Sequence, residues 1–363
     1  MKRMENRLRL RELGMKIGRF DTGELNSLTD VPGVKVGHHT LSYDLEAGKA
    51  VRTGVTAILP HGGNLFQKKV LGSVHVINGF GKTVGSIQLQ ELGTIESPIM
   101  LTNTLSVPAV AEGTLRYLLD QNSDIGESTG TVNVLVGECN DGYLNDIRGL
   151  HVRPEHAYQA IQSATAGAVA EGCVGAGTGM SCMGYKGGIG TSSRVAPFAE
   201  HIYTVGALVV SNFGEERDLL LPGSGRTAMA SHTPPPIQTP DGSIMIVVAT
   251  DAPVNERQLH RMAKRATFGL ARTGSFAAHG SGDIVIAFST AHRIPHYPDR
   301  LTQPCAYLVE DGEAISRLFE MTVEAVEEAI WNSLCKATTT IGNQGRIKRA
   351  IEYDLFLSNL AQP

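Results

Sequence analysis

Charge is scarce in this sequence. Only 19% of its 363 residues are Asp, Glu, Lys or Arg, where about 25% is usual. The 32 basic residues are outnumbered by 36 acidic ones, for a net charge of −4. Such a balance offers no electrostatic footprint for nucleic acid, and none is expected as a partner. Long hydrophobic runs are also missing. The longest, at 205–210 and 244–249, fall well short of the roughly 18 residues a membrane-crossing helix needs, so no membrane is expected either. Cysteines are few and odd in number (Cys139, Cys173, Cys182, Cys305, Cys335), and none form a CxxC pair. That pattern suits reduced thiols in a cytoplasmic protein rather than a disulfide frame. Metal motifs are lacking too. No HExxH or Cys/His cluster occurs, and Pro295 breaks any helix that would align His292 with His296. No metal or organic cofactor is expected.

Glycine is plentiful. There are 41 among 363 residues, about 11% against a usual value of roughly 7%. No Gly-X-Y period accompanies them, and 42% hydrophobic residues are enough for a large core. Length alone suggests about two domains. The only proline-rich stretch, TPPPIQTPDG at 233–242, is short and lies between apolar segments, so one layered domain fits as well as two. The basic N-terminus (Lys2, Arg3, Arg7, Arg9, Arg11, Lys16, Arg19) is followed by no apolar h-region and reads as a solvated arm over 1–28, ahead of a single domain over 29–363.

Runs apolar on both alternate faces predict covered strands at 55–59, 74–77, 132–136, 203–210, 243–249 and 284–288. Helical spacing follows Pro253, with Leu259, Met262, Ala263, Ala266 and Leu270 on one stripe and Gly274 placed to end it. A second stripe runs from Ile315 to Leu334, with Glu324, Glu327 and Glu328 on the other side. Further helices are expected at 110–120 and 155–171. The class is α/β or α+β.

Eight glycines between 172 and 190 invite a phosphate-loop reading, but Met180 replaces the last glycine of GxGxxG and no GK pair completes a GxxxxGK. A loop packed close to another backbone fits better. At 240–250, PDGSIMIVVAT, Asp-Gly is ordinarily a hairpin turn before a strand. Alternatively, Ser243 begins a buried strand after a proline-rich loop, the arrangement of a self-cleaving hydrolase. There the hydroxyl attacks the Gly242 carbonyl, an N→O acyl shift follows, and hydrolysis leaves Ser243 with both nucleophile and amine. A free α-amine has a pKa of about 7.7–8.0 and can act as a base near neutrality. Three further elements carry chemistry or plain turns. Ser281 and Asp283, in HGSGD, form a relay or cap a turn. Asn212 ends a strand, where it donates to an oxyanion or caps. Glu138 follows a strand, where it binds an ammonium or stays solvated.

Together these elements resemble one family, the L-aminopeptidase/D-esterase (DmpA-type) and β-aminopeptidase family of self-cleaving N-terminal-serine hydrolases. The likeness extends to DVPGVKVGH at 30–38, NGFG at 78–81, PIMLTNT at 98–104, the stretch 175–194, ATDAP at 249–253 and RATFGLAR at 265–272, in order, over nearly the whole chain. It implies an Ntn-hydrolase-like, four-layer α/β/β/α sandwich made of two autoprocessed chains, cut between Gly242 and Ser243 into 242 and 121 residues. By position it implies Ser243 as nucleophile, Ser281 with Asp283 as the serine and acid pair, Asn212 at the oxyanion and Glu138 on the substrate's amino group. It implies small peptide, amide or ester substrates with a free amino group, and a homo-oligomer, a tetramer. The sequence departs from the family at Asn140, where the relatives carry a tyrosine; Tyr143 stands three residues on. The alternatives are an acyltransferase of the ornithine acetyltransferase type, for which a threonine nucleophile would be expected, and a non-enzymatic binding protein.

Overall fold

A computed structural model describes residues 7–222, 241–310 and 312–356. In chain order its strands are β1 (Lys35–Asp44), β2 (Ala50–Leu59), β3 (Lys68–Gly79), β4 (Thr94–Ile95), β5 (Ile99–Asn103), β6 (Leu135–Cys139) and β7 (Ser181–Cys182). After these come β8 (Tyr185–Lys186), β9 (Gly188–Phe198), β10 (His201–Asn212), β11 (Asp241–Thr250), β12 (Gly280–Pro295), β13 (Thr340–Ile341) and β14 (Ile347–Lys348). The helices are α1 (Ser86–Leu92), α2 (Val107–Gln121), α3 (Pro154–Gln162), α4 (Glu256–Ala271) and α5 (Gly312–Cys335).

Two sheets carry the fold. One has the order β1-β2-β5-β6, the other β4-β3-β12-β11-β10-β9. They face each other across a core that includes Ile58, Leu101 and Leu135 from the first and Leu208, Met245, Val247 and Ile286 from the second. Helices α4 and α5 cover the outer face of the six-stranded sheet, and α2 and α3 that of the four-stranded one. The result is four layers, α/β/β/α.

Strand β11 shows why its sequence is continuously apolar. Ile244, Ile246 and Val248 face the helices, while Met245, Val247 and Ala249 face the other sheet, so no position meets solvent. By the same alternation, Ser243 points to the inter-sheet side. Helix α4 begins where Asn255 caps it, its side chain accepting from the Gln258 amide at 2.9 Å while Gln258 accepts from the Asn255 amide at 3.0 Å. The glycine-rich stretch is packed backbone against backbone. A Cβ on Gly179 would fall 2.1 Å from the Arg52 carbonyl oxygen, and one on Gly188 would fall 2.2 Å from that of Gly172.

Several expectations are corrected. Asp241 and Gly242 are not a hairpin turn; they open β11, which runs parallel to β12 with Ser243 opposite Gly282. The strand expected at 132–136 is β6 and starts at Leu135, because Asn133 is held by Glu96 and pairing with β5 begins only at Ile99 with Leu135. The helix expected at 155–171 ends at Gln162, where Thr165 is captured by the backbone of Val36 at the start of β1. Residues 7–27 are no solvated arm. Leu10, Met15 and Ile17 are buried in the helix-covered core, Arg9 pairs with Glu171 at 2.8 Å and Arg11 with Glu328 at 2.8 Å. Nor do Glu324, Glu327 and Glu328 face water: all three are buried. Buried Arg194 of β9 explains two of them, reaching Glu324 at 3.0 Å and Glu328 at 2.7 Å. Arg272 pairs with the third at 3.2 Å. Among the described residues no helix is long and apolar enough to cross a membrane.

Candidate active site

The ends of β6, β10 and β11 meet at one rim of the inter-sheet layer, and a cleft of about 560 Å³ opens there. Ser243, Asn212, Asn140 and Glu138 all line it. Because Ser243 is the third residue of a central strand, the residue is only 3% exposed and its backbone is fixed on both sides by β10 and β12.

Two donors converge on that hydroxyl. The Asn212 Nδ2 donates to Ser243 Oγ at 3.3 Å, and the Asn140 backbone N–H donates to it at 3.3 Å. Asn212 is itself oriented. Its Oδ1 accepts from the Ser181 amide at 2.9 Å, and its Nδ2 also donates to the Asn140 carbonyl at 2.9 Å. Asn140 contributes through its main chain, since its Oδ1 closes a turn by accepting from the Gly142 amide at 2.9 Å. Both donors thus stand beside the attacking oxygen, so that a carbonyl bonded to Ser243 Oγ would develop its oxyanion next to two preorganised donors at a mostly buried position. Tyr143 also lines the cleft and is 47% exposed.

Glu138 lines the same cleft. It is 5% exposed, and it accepts from the Lys82 amide at 2.9 Å and from the Thr104 hydroxyl. A carboxylate so held, without a cationic side chain in ion-pair contact among the described residues, is suited to receive an ammonium.

Ser281 and Asp283 stand apart from these four. Their strand neighbour Gly282 is paired with Ser243, so by alternation their side chains lie on the opposite face of the sheet. They are bonded to each other, Ser281 Oγ donating to Asp283 Oδ1 at 2.6 Å. What they approach is the main chain: a Cβ built on Gly242 would lie 3.1 Å from Ser281 Oγ. Asp283 is fully buried, and burial pushes its carboxyl up to about 6, with the Ser281 hydroxyl and the Ile244 backbone pulling the other way. The pair therefore faces the 242–243 linkage rather than the Ser243 hydroxyl.

Sequence reasoning assigned no role to several neighbours. Thr104 and Asn78 fall inside stretches quoted for the family resemblance, but nothing local marks them. Asn78 Nδ2 donates to the Ala278 carbonyl at 2.8 Å and the Ser281 carbonyl at 2.6 Å, fixing the start of β12. Cys139 is fully buried beside Ser243, and burial drives its thiol far above its ordinary value, so it stays protonated and inert as a nucleophile.

This sandwich, with a small hydroxyl at the head of a central strand, is an Ntn-hydrolase fold. It superposes on the L-aminopeptidase D-Ala-esterase/amidase of Ochrobactrum anthropi, described as a prototype of the serine aminopeptidases and a variant of that fold, with a TM-score of 0.86, 34% identity and coverage of 97% of this chain and 98% of that one. A crystallised protein of Pyrococcus horikoshii OT3 matches with a TM-score of 0.91 and 51% identity, covering 98% and 100% of the two chains. The beta-peptidyl aminopeptidase of Sphingosinicella microcystinivorans is 40% identical over 93% of this chain and 88% of its own length. The profile of peptidase family S58 matches residues 26–348, and the chain belongs to that family. It is a hydrolase, an aminopeptidase, and neither the acyltransferase nor the binding-protein alternative is favoured.

Proposed function

We propose that the enzyme is a self-processing serine aminopeptidase that releases N-terminal residues from small peptides, amides or esters, with Ser243 as nucleophile. The observation that carries this reading is the convergence of Asn212 Nδ2 and the Asn140 N–H on Ser243 Oγ, in a cleft that Glu138 also lines. Processing begins when Ser243 Oγ bonds to the Gly242 carbonyl carbon. The Gly242–Ser243 C–N bond then breaks, the hydroxyl proton passing to the departing nitrogen. Water hydrolyses the resulting ester, leaving a Gly242 carboxylate and a free Ser243 amine. In turnover, Glu138 binds the substrate ammonium, Ser243 attacks the first carbonyl, and Asn212 with the Asn140 N–H holds the oxyanion.

The proximity of Ser281 to Gly242 supports a division of labour: the freed α-amine takes the Ser243 proton, and Ser281 with Asp283 orients that amine. Five free cysteines support a cytoplasmic setting. A homo-tetramer rests on the family resemblance alone.

The test is direct. The wild-type protein should give two bands on a denaturing gel, the smaller beginning at Ser243. Ser243→Ala should stay single-chain and lose activity by roughly 10⁶-fold, as serine nucleophile removal does elsewhere. A fully active, uncut wild-type chain would sink self-processing.

A further inference from the structure

The cleft holds more positive charge than its chemistry so far uses. Among its described lining residues Glu138 is the one carboxylate, while Lys82, Arg346 and Lys348 are cations. Lys82 belongs to the Glu138 end, where its backbone amide binds Glu138 and its ammonium lies 4.9 Å from the centre of the Phe80 ring. Arg346 and Lys348 belong to another wall, brought there by the β13–β14 hairpin.

That hairpin is docked onto the segment that follows Asn140. The Asn343 amide donates to the Leu144 carbonyl at 2.7 Å, and Arg346 Nη1 reaches the Gly142 and Tyr143 carbonyls at 3.4 Å each. Lys348 Nζ donates to the Gly184 carbonyl at 3.2 Å, between the β7 and β8 strands. Both cations also flank Tyr143, at 5.4 and 5.0 Å from its ring centre. Neither makes an ion pair with any described carboxylate within 4.0 Å. The acids nearest Lys348 are engaged elsewhere: Glu216 accepts from the Tyr185 hydroxyl at 2.5 Å, and Glu215 pairs with Arg217 at 2.8 Å. Partial burial lowers the pKa of Lys348, the direction expected of an ammonium left without a full counter-charge.

We propose that Arg346 and Lys348 form an anion subsite for a carboxylate on the leaving portion of the substrate, so that short peptides with a free C-terminus are preferred to neutral amides. The inference rests on the reading of Ser243 as nucleophile and Glu138 as amine acceptor. With the amine fixed at Glu138 and the first carbonyl at Ser243, this subsite seats the residue beyond the scissile bond against the Tyr143–Gly184 wall of the same cleft. A terminal carboxylate there meets one planar guanidinium and one ammonium, a match in charge and in hydrogen-bond donors. A neutral amide meets the same cations without compensating them.

Three substrates with one shared N-terminal residue test it on the whole protein: a dipeptide with a free carboxylate, the same dipeptide amidated, and an amidated dipeptide with Asp in second place. The free acid should exceed its amide in kcat/KM by roughly 10- to 100-fold, the usual worth of a charged hydrogen-bonded contact, chiefly through KM. The ratio should shrink in high salt and collapse toward one in Arg346→Gln/Lys348→Gln. Equal use of acid and amide by wild type, or a ratio untouched in the double variant, would overturn the subsite. So would equal losses on both substrates in the variant, which would mark the two residues as structural. A preference that follows the Asp side chain instead of the chain end would overturn the terminal assignment. Undiminished hydrolysis by Ser243→Ala would remove the reading beneath, since the subsite is oriented from Ser243.

Discussion

Charge enters the protein under the helices that cover the six-stranded sheet and at the Ser243 rim, and the two places treat it in opposite ways. On the helix-covered face, Arg194 is fully buried and every approach to it is answered. Its guanidinium meets Glu324 and Glu328 and donates to the Ser193 and Ile17 carbonyls at 2.7 and 2.9 Å. Glu328 in turn accepts from Asn26 at 2.6 Å and pairs with Arg11. Burial alone would push the Glu328 carboxyl up, but Arg194 and Arg11 outweigh it and hold the group below its ordinary value. At the Ser243 rim the accounts stay open. Arg346 and Lys348 lack carboxylate partners among the described residues, and at the same strand end, on the helix-covered side, Asp283 Oδ2 is buried without a hydrogen bond. Fully compensated charge fixes structure, whereas uncompensated charge is kept ready for a ligand or a reaction.

The sharpest way to break this contrast is at its compensated pole. Arg194→Leu leaves two buried carboxylates facing each other and should cost about 3–5 kcal/mol of stability, the usual penalty for removing one partner of a buried pair. Measured as a shift in the urea midpoint, in the Ser243→Ala background so that one polypeptide is compared, a loss under about 1 kcal/mol would show that the network is solvated after all. At the rim the expected cost moves from folding to rate. Asn212→Ala removes one donor from Ser243 and should lower kcat by roughly 10²–10³-fold. Its urea midpoint should move far less than that of Arg194→Leu; the reverse pattern would make Asn212 a structural cap.

The same contrast explains what the sequence could and could not reveal. Strand β11 was legible because both of its faces are covered, which demands an unbroken apolar run. Helices α4 and α5 were legible because one stripe packs on the sheet. Glu324 and Glu328 of α5 were misread because their partner Arg194 lies 130 and 134 residues away, and no local pattern reports it. Ser243 was locally ambiguous, since Asp-Gly reads as a turn until the parallel neighbour β12, with Gly282 opposite, is known. The family resemblance, not periodicity, singled it out. Arg346 and Lys348 carried no signal, because a two-residue strand has no period.

The smallest expected effect is also the one with opposite signs at the two poles. Burial raises the Asp283 carboxyl from 3.8 to about 6, so the folded protein holds this proton more tightly than the unfolded chain. Between those values the group's contribution to stability declines as pH rises. Glu328 is shifted down instead, so its contribution is complete above its ordinary 4.5 and is lost as pH falls through its folded value. If ionised Asp283 is what orients the Ser243 amine, kcat/KM should fall as pH drops through about 6, to about half at that pH. Asp283→Asn should erase this acid limb and lower the plateau, while Glu328→Gln should leave the limb where it is and lower the urea midpoint. An acid limb near pH 6 that survives in Asp283→Asn would assign it to another group, and the Ser281–Asp283 pair would then join the structural pole.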